Sequence, residues 1–252
     1  MTFKLPILVT LFALAATPLV LADEFDSDGV KIHYEIHGKG EPVILVHGLF
    51  ASAEINWDLP GITADLAKKY QVIAFDNRGH GQSGKPKAEN DYGETMAEDV
   101  IRLMDHLHLT NARVAGYSLG GMIALKLAVK HPDRLKSVVL GGMGWLRTGS
   151  PEQHFFEVVP EHENILAPSA CVRAMAKLAV TEAEVKAIRV PVTVIVGDRD
   201  PCRELYVDPL RAARPDWPVH EISNAGHLNC ILKPEFKTQL ESALEKGKKS
   251  KL

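Results

Sequence analysis

The chain has 252 residues, 46% of them apolar and 24% charged, with a formal net charge of -3. That length suits one large α/β domain with room for an insertion, and that composition excludes a disordered chain. The mixed charges leave no basic footprint for nucleic acid. Three cysteines, Cys171, Cys202 and Cys230, are too few and too odd for a disulfide scaffold.

The first 22 residues stand apart. MTFK gives a positive start and LPILVTLFALAATPLVLA follows. The apolar run has about the length of a short membrane span. Pro18 interrupts it, however, and Val20-Leu21-Ala22 sets small residues where a signal peptidase reads them, just before DEFDSDG. The expectation is a signal peptide over 1–22 and a secreted or periplasmic protein, with an uncleaved membrane anchor as the alternative. The last three residues, Ser250-Lys251-Leu252, match a peroxisomal address. The lysine-rich EKGKKSKL around them also suits a solvated, frayed end. A chain exported through its N-terminus rarely has that address read, so export is the preferred reading and the peroxisome the lesser alternative.

Beyond the leader, GVKIHYEIHG (29–38) alternates apolar and polar residues, as a half-exposed strand does. Little chain precedes it, so any earlier strand is expected to be short or missing. VILVHG (43–48), QVIAFD (71–76), ARVAGYS (112–118), SVVLGG (137–142) and VTVIVGD (192–198) are continuous apolar runs, which fit strands covered on both faces. VHEISNAGH (219–227) reads as a weaker last strand. Helical patterns lie between them at 95–108, 119–131 and 234–246. In the first, Met96, Val100, Leu103, Met104 and Leu107 form one apolar stripe. Thr95 and Glu98 have capping-box spacing. Strands alternating with helices predict a mostly parallel twisted sheet with helices on both faces.

Residues 143–189 break that rhythm, with about 47 residues where a strand-to-strand connection needs far fewer. Trp145, Phe155, Phe156, Val158, Val159, Ile165 and Leu166 make this insertion apolar. It reads as a small lid over a site at the strand ends, or else as a helical hairpin packed for stability. The core is then 23–142 with 190–252.

The chemistry centres on VAGYSLGG (114–121). Ser118 stands between a strand pattern and a helix pattern, the context of a nucleophile on a sharp turn. Glycines at 116, 120 and 121 leave room for the strained backbone and the close helix. A serine hydroxyl needs a base to take its proton, and the base needs a group to hold it. The order serine, acid, histidine is supplied by GDRDP (197–201) and NAGH (224–227).

With those segments the chain resembles the α/β-hydrolase family over essentially all of the sequence after the leader. The resemblance rests on Gly116-Tyr117-Ser118-Leu119-Gly120, Gly197-Asp198-Arg199-Asp200, Gly226-His227, His47-Gly48-Leu49-Phe50 and Asp76-Asn77-Arg78-Gly79-His80-Gly81-Gln82-Ser83. It implies Ser118, Asp200 and His227 as a catalytic triad, with Asp198 as the second choice for the acid. The backbone N–H groups of Leu49 and Leu119 would form an oxyanion hole. Phe50, Tyr117 and Trp145 are expected at the substrate. His47, Asp76 and Arg78 are expected to order loops. Serine at 118 argues against dehalogenase or epoxide-hydrolase chemistry, which uses an aspartate there, and 143–189 holds no tyrosine to polarise an epoxide.

The expected activity is hydrolysis of a carboxylic ester with an apolar acyl group through an acyl-enzyme. The same triad could serve a C–C hydrolase, thioesterase, lactonase or perhydrolase, or the fold could be a non-catalytic binding protein. No cofactor is implied, and the histidines show no zinc-site spacing. If Asp200 and His227 hydrogen-bond, their loops are neighbours, and a Cys202–Cys230 bridge could brace them in an oxidising compartment.

Overall fold

The computed structural model describes residues 20–161 and 167–246. Most of the leader read over 1–22, together with Ile165, Leu166 and the Ser-Lys-Leu terminus, lies outside the described residues. Eight strands form one sheet: β1 (Val20–Ser27), β2 (Val30–His37), β3 (Glu41–Val46), β4 (Tyr70–Phe75), β5 (Ala112–Tyr117), β6 (Leu135–Gly141), β7 (Val192–Gly197) and β8 (Val219–Ile222). Their order is β1-β2-β4-β3-β5-β6-β7-β8. β1 and β2 are antiparallel, as are β2 and β4, and all later pairs are parallel. The mostly parallel sheet expected from the sequence is present.

Alternation along the strands divides the core. Ile44, Val46, Val114, Val138 and Leu140 point to the face covered by α2 (Glu94–His106) and α3 (Leu119–Lys130). Val43, Leu45, Ala115, Tyr117 and Ile195 point to the other face. There they meet Trp57, Ile62 and Leu66 of the segment containing α1 (Ile62–Leu66), and Phe236, Leu240 and Leu244 of the C-terminal helix. Each such aliphatic side chain, fully buried, contributes about 1.5–3 kcal/mol of apolar transfer.

Three expectations are corrected. The first strand is neither short nor missing: β1 pairs with β2 over eight residues, from Val20↔His37 to Ser27↔Val30. The last strand ends at Ile222, and the rest of 219–227 is the loop that carries His227. Thr95 and Glu98 form no capping box. Helix α2 starts at Glu94 behind Gly93, Thr95 Oγ1 bonds the Asn90 carbonyl, and Glu98 is drawn to Lys130 and His131 instead.

Between β6 and β7 the chain forms α4 (Pro151–Glu157), α5 (Ser169–Ala174) and α6 (Glu182–Ala187). A capping box does occur here, between Thr181 and Glu184. Phe156, Cys171, Val172, Met175 and Leu178 are buried against the first core face. Lys126 of α3 bonds the Ala179 carbonyl at 2.7 Å and ties the segment to the core. After β7 come α7 (Asp208–Ala213) and, at the end, α8 (Pro234–Lys246). Among the described residues, no helix is long and apolar enough to cross a membrane.

Candidate active site

Ser118 lies between β5 and α3 with φ 54° and ψ -116°. A non-glycine residue with that backbone carries about 1–3 kcal/mol of strain unless its surroundings hold it. They do so by close backbone packing. A Cβ on Gly116 would lie 1.9 Å from the Gly120 carbonyl oxygen, and one on Gly120 would lie 2.0 Å from that of Val46. The turn therefore closes only with glycine at both places, and it is pinned further by Ser118 N–H donating to the Gly141 carbonyl at 2.8 Å.

Three loops at the carboxyl ends of their strands converge on this turn. His227, after β8, places Nε2 2.9 Å from Ser118 Oγ and Nδ1 2.9 Å from Asp200 Oδ2. Asp200, after β7, is 3% exposed, and its Oδ1 accepts the Cys202 N–H at 2.8 Å. Serine, histidine and aspartate thus form an unbroken hydrogen-bond chain from a half-buried hydroxyl to a buried carboxylate. Asp198 does not join that chain. Its Oδ1 accepts the Ala225 N–H at 3.1 Å, and backbone bonds from Asn224 and Ala225 hold its carboxyl below the usual range. Its place is to fasten the β7 loop to the β8 loop, where Arg199 also bonds Asn224.

The third loop follows β3. Gly48 is held against the nucleophile turn, since a Cβ there would lie 3.2 Å from Ser118 Cβ. Its N–H donates to Asn56 Oδ1 at 2.7 Å. Buried His47 receives the Asn77 N–H on Nε2 at 2.9 Å, so its Nδ1 carries the proton given to the Gly48 carbonyl at 2.7 Å. Burial pushes His47 below its ordinary pKa and keeps it neutral. Among the described residues, no acceptor is recorded outside helices and strands for the backbone N–H groups of Leu49, which follows Gly48, and Leu119, which follows Ser118. Phe50, which completes the turn, has φ 61° and a half-open side chain.

Asp76 receives the Ala53 and Gln82 N–H groups at 2.9 and 2.7 Å. Arg78 is buried and forms a two-point pair with Asp99 while bonding the Asp91 and Ser27 carbonyls. Both order loops. Tyr117 and Trp145 lie elsewhere than at a ligand surface. Tyr117 is 4% exposed, on the opposite core face behind His227. Trp145 is 6% exposed and gives its indole N–H to the Val180 carbonyl. Asn56, Asp99 and the hydroxyl of Tyr117 are the supporting groups that sequence reading missed. Asn56 and Asp99 sit at no motif spacing, and only their folded partners reveal them.

Cys171, Cys202 and Cys230 are all free thiols, so the Cys202–Cys230 bridge is absent. Burial and the Asp200 charge push Cys202 up to about 12, and burial does the same to Cys230. One group among the described residues has metal-ligand character: Asp200, Cys202 and His227 bring ligand atoms within 4.8 Å of one another. Two of its members, Asp200 and His227, are already bonded to each other.

The model for the alpha/beta hydrolase fold matches residues 41–161, which hold the Gly48 turn and the nucleophile turn. The chain has the α/β-hydrolase fold. A candidate carbamate hydrolase, RutD of Azorhizobium caulinodans, is 37% identical over 143 residues, 57% of this chain and 52% of that one. A 2-hydroxymuconate semialdehyde hydrolase of Pseudomonas sp. is 33% identical over 47% of this chain and 42% of its own length. The chain thus spans about half the length of the curated relatives it matches. Among solved structures, the enol-lactonase of Burkholderia xenovorans superposes with a TM-score of 0.74 at 24% identity, over 88% of this chain and 100% of that one.

Proposed function

We propose that this α/β-hydrolase-fold chain is a serine hydrolase of carboxylic esters, working through an acyl-enzyme. The observation that carries the reading is the continuous Ser118–His227–Asp200 hydrogen-bond chain at the strained turn. His227 Nε2 takes the Ser118 proton as Oγ attacks the acyl carbon. Asp200 keeps the imidazole in the tautomer whose Nε2 is free to accept, and it stabilises the imidazolium that forms. The Leu49 and Leu119 N–H groups receive the developing oxyanion, and losing one such donor typically costs about 3 kcal/mol of barrier. His227 then protonates the leaving alkoxide, and water activated by the same nitrogen releases the acid.

An apolar acyl group fits the rim. Phe50 and Ile55 after β3, Phe155 and Val158 after β6, Leu205 after β7 and Leu228 after β8 are all exposed. All six lie on segments that follow the carboxyl ends of strands, where substrates of open α/β sheets bind. In this reading the 143–189 segment is a lid, and it contributes Phe155 and Val158 to the mouth.

The test is Ser118→Ala. Hydrolysis of short p-nitrophenyl esters should fall by a factor on the order of 10⁴–10⁶ with the unfolding midpoint unchanged. Retained turnover would remove Ser118 from the mechanism. The second reading keeps the triad and changes the bond. It is favoured by the relatives, which are named for carbamate and semialdehyde substrates. A panel setting esters of increasing chain length beside an aryl carbamate, a lactone and a thioester ranks the alternatives by kcat/KM.

A further inference from the structure

Tyr117 precedes the nucleophile but does not face the same space. Its side chain enters the opposite core layer, and its hydroxyl donates to the backbone carbonyl of His227. The ring lies 5.7 Å, centroid to centroid, from the His227 imidazole and 5.7 Å, edge to face, from Phe236. The backbone beyond β6 is shaped around it. A Cβ on Gly141 would sit 2.9 Å from the Tyr117 ring, and one on Gly142, at φ +57°, would sit 2.9 Å from its Cζ and 3.1 Å from its hydroxyl oxygen. Two consecutive glycines therefore leave the slot that the ring fills. Burial raises the phenol well above its ordinary pKa, so the hydroxyl stays a proton donor at every working pH.

We propose that Tyr117 is a positioning residue for His227. It links the residue beside the nucleophile to the backbone of the base, and so sets the distance between them. The inference rests on the triad reading above. Otherwise the β8 loop is held through Asp198 and Arg199, on the acid's side. Tyr117 supplies the fixed point on the nucleophile's side, one peptide bond from Ser118. Without its hydroxyl the imidazole would remain present but sample a wider range of distances from Ser118 Oγ. A spread of that kind lowers the rate of chemistry and leaves substrate binding alone.

The experiment uses the full chain with Tyr117→Phe, which keeps the ring in its slot. The expected result is a fall in kcat of roughly 2- to 13-fold, the factor one ordinary hydrogen bond supplies, with KM unchanged. Serine labelling by a fluorophosphonate should slow in parallel. The downfield Nδ1–H proton resonance of His227 should broaden or vanish in the variant. Gly142→Ala, which crowds the same ring, should move all three readouts in the same direction. A Tyr117→Phe enzyme with wild-type kcat, labelling rate and His227 resonance would overturn the proposal, whatever its thermal stability. The outcome is separate from that of Ser118→Ala: if that variant still turns over, the triad reading fails, while the His227 resonance still reports on Tyr117.

Discussion

The turn that holds Ser118 and the loops that hold Asp200 and His227 solve one positioning problem by different means. The turn is fixed by backbone against backbone, with the main chains of Gly116, Gly120 and Val46 packed too closely for a side chain at either glycine. The acid and base loops are fixed by side chains reaching across: Asp198 to Ala225, Arg199 to Asn224, Tyr117 to His227. A strained dihedral needs dense packing, because only steric exclusion prevents its relaxation. An imidazole that must shuttle a proton needs a tether with some give. Damage to the first should therefore appear as lost stability, and damage to the second as lost rate in a folded protein.

After Ser118→Ala, the largest effect expected in the folded protein is from Asp200→Asn, with kcat down about 10⁴-fold and a nearly unchanged melting temperature. A large drop in stability at that position would break the contrast. Gly120→Ala should do the reverse, because its methyl group falls on the Val46 carbonyl. It should cost roughly 3 kcal/mol or prevent folding, as read by urea unfolding. Asp198→Asn should lower kcat a few-fold with little change in Tm. Its carboxyl sits below its ordinary pKa in the fold, so its contribution is whole above about pH 4 and fades as pH falls through the lowered value. Whatever stability the variant loses at neutral pH should shrink as pH falls below about 4, as read by its Tm difference from wild type. The smallest effect concerns the thiols. With Cys202 and Cys230 pushed up to about 12, an alkylating reagent at about pH 8 should leave turnover within twofold of untreated enzyme; rapid inactivation would show a thiol active in the site.

The contrast also explains what could be read in advance. Backbone packing leaves a compositional mark, so the glycines around Ser118 and the long apolar runs of β3 to β7 disclosed the turn and the sheet. The order of Asp200 and His227 along the chain disclosed the loops, because each follows its own strand. Tethers across loops leave no such mark. Tyr117 reads as a substrate contact beside a nucleophile until the sheet shows which face it occupies. Asn56 and Asp99 are ordinary polar residues until Gly48 and Arg78 are seen bonded to them. The Thr95–Glu98 spacing misled because Lys130 and His131, distant in sequence, compete for Glu98.

Strand β1 overlaps the end of the leader expected over 1–22. A signal peptidase cutting after Ala22 would need residues 20–22 extended in its own cleft, and those residues form three of the eight pairs between β1 and β2. If the leader is cut there, the protease and the sheet edge would compete for one segment, and the cut would have to come before zippering. The parts that anchor β1 lie beyond the scissile bond: Phe25 stacks on His106, and Ser27 joins the Arg78–Asp99 pair. A trimmed chain keeps those anchors and gives up only the outer end of the edge, where Leu21 is 53% exposed.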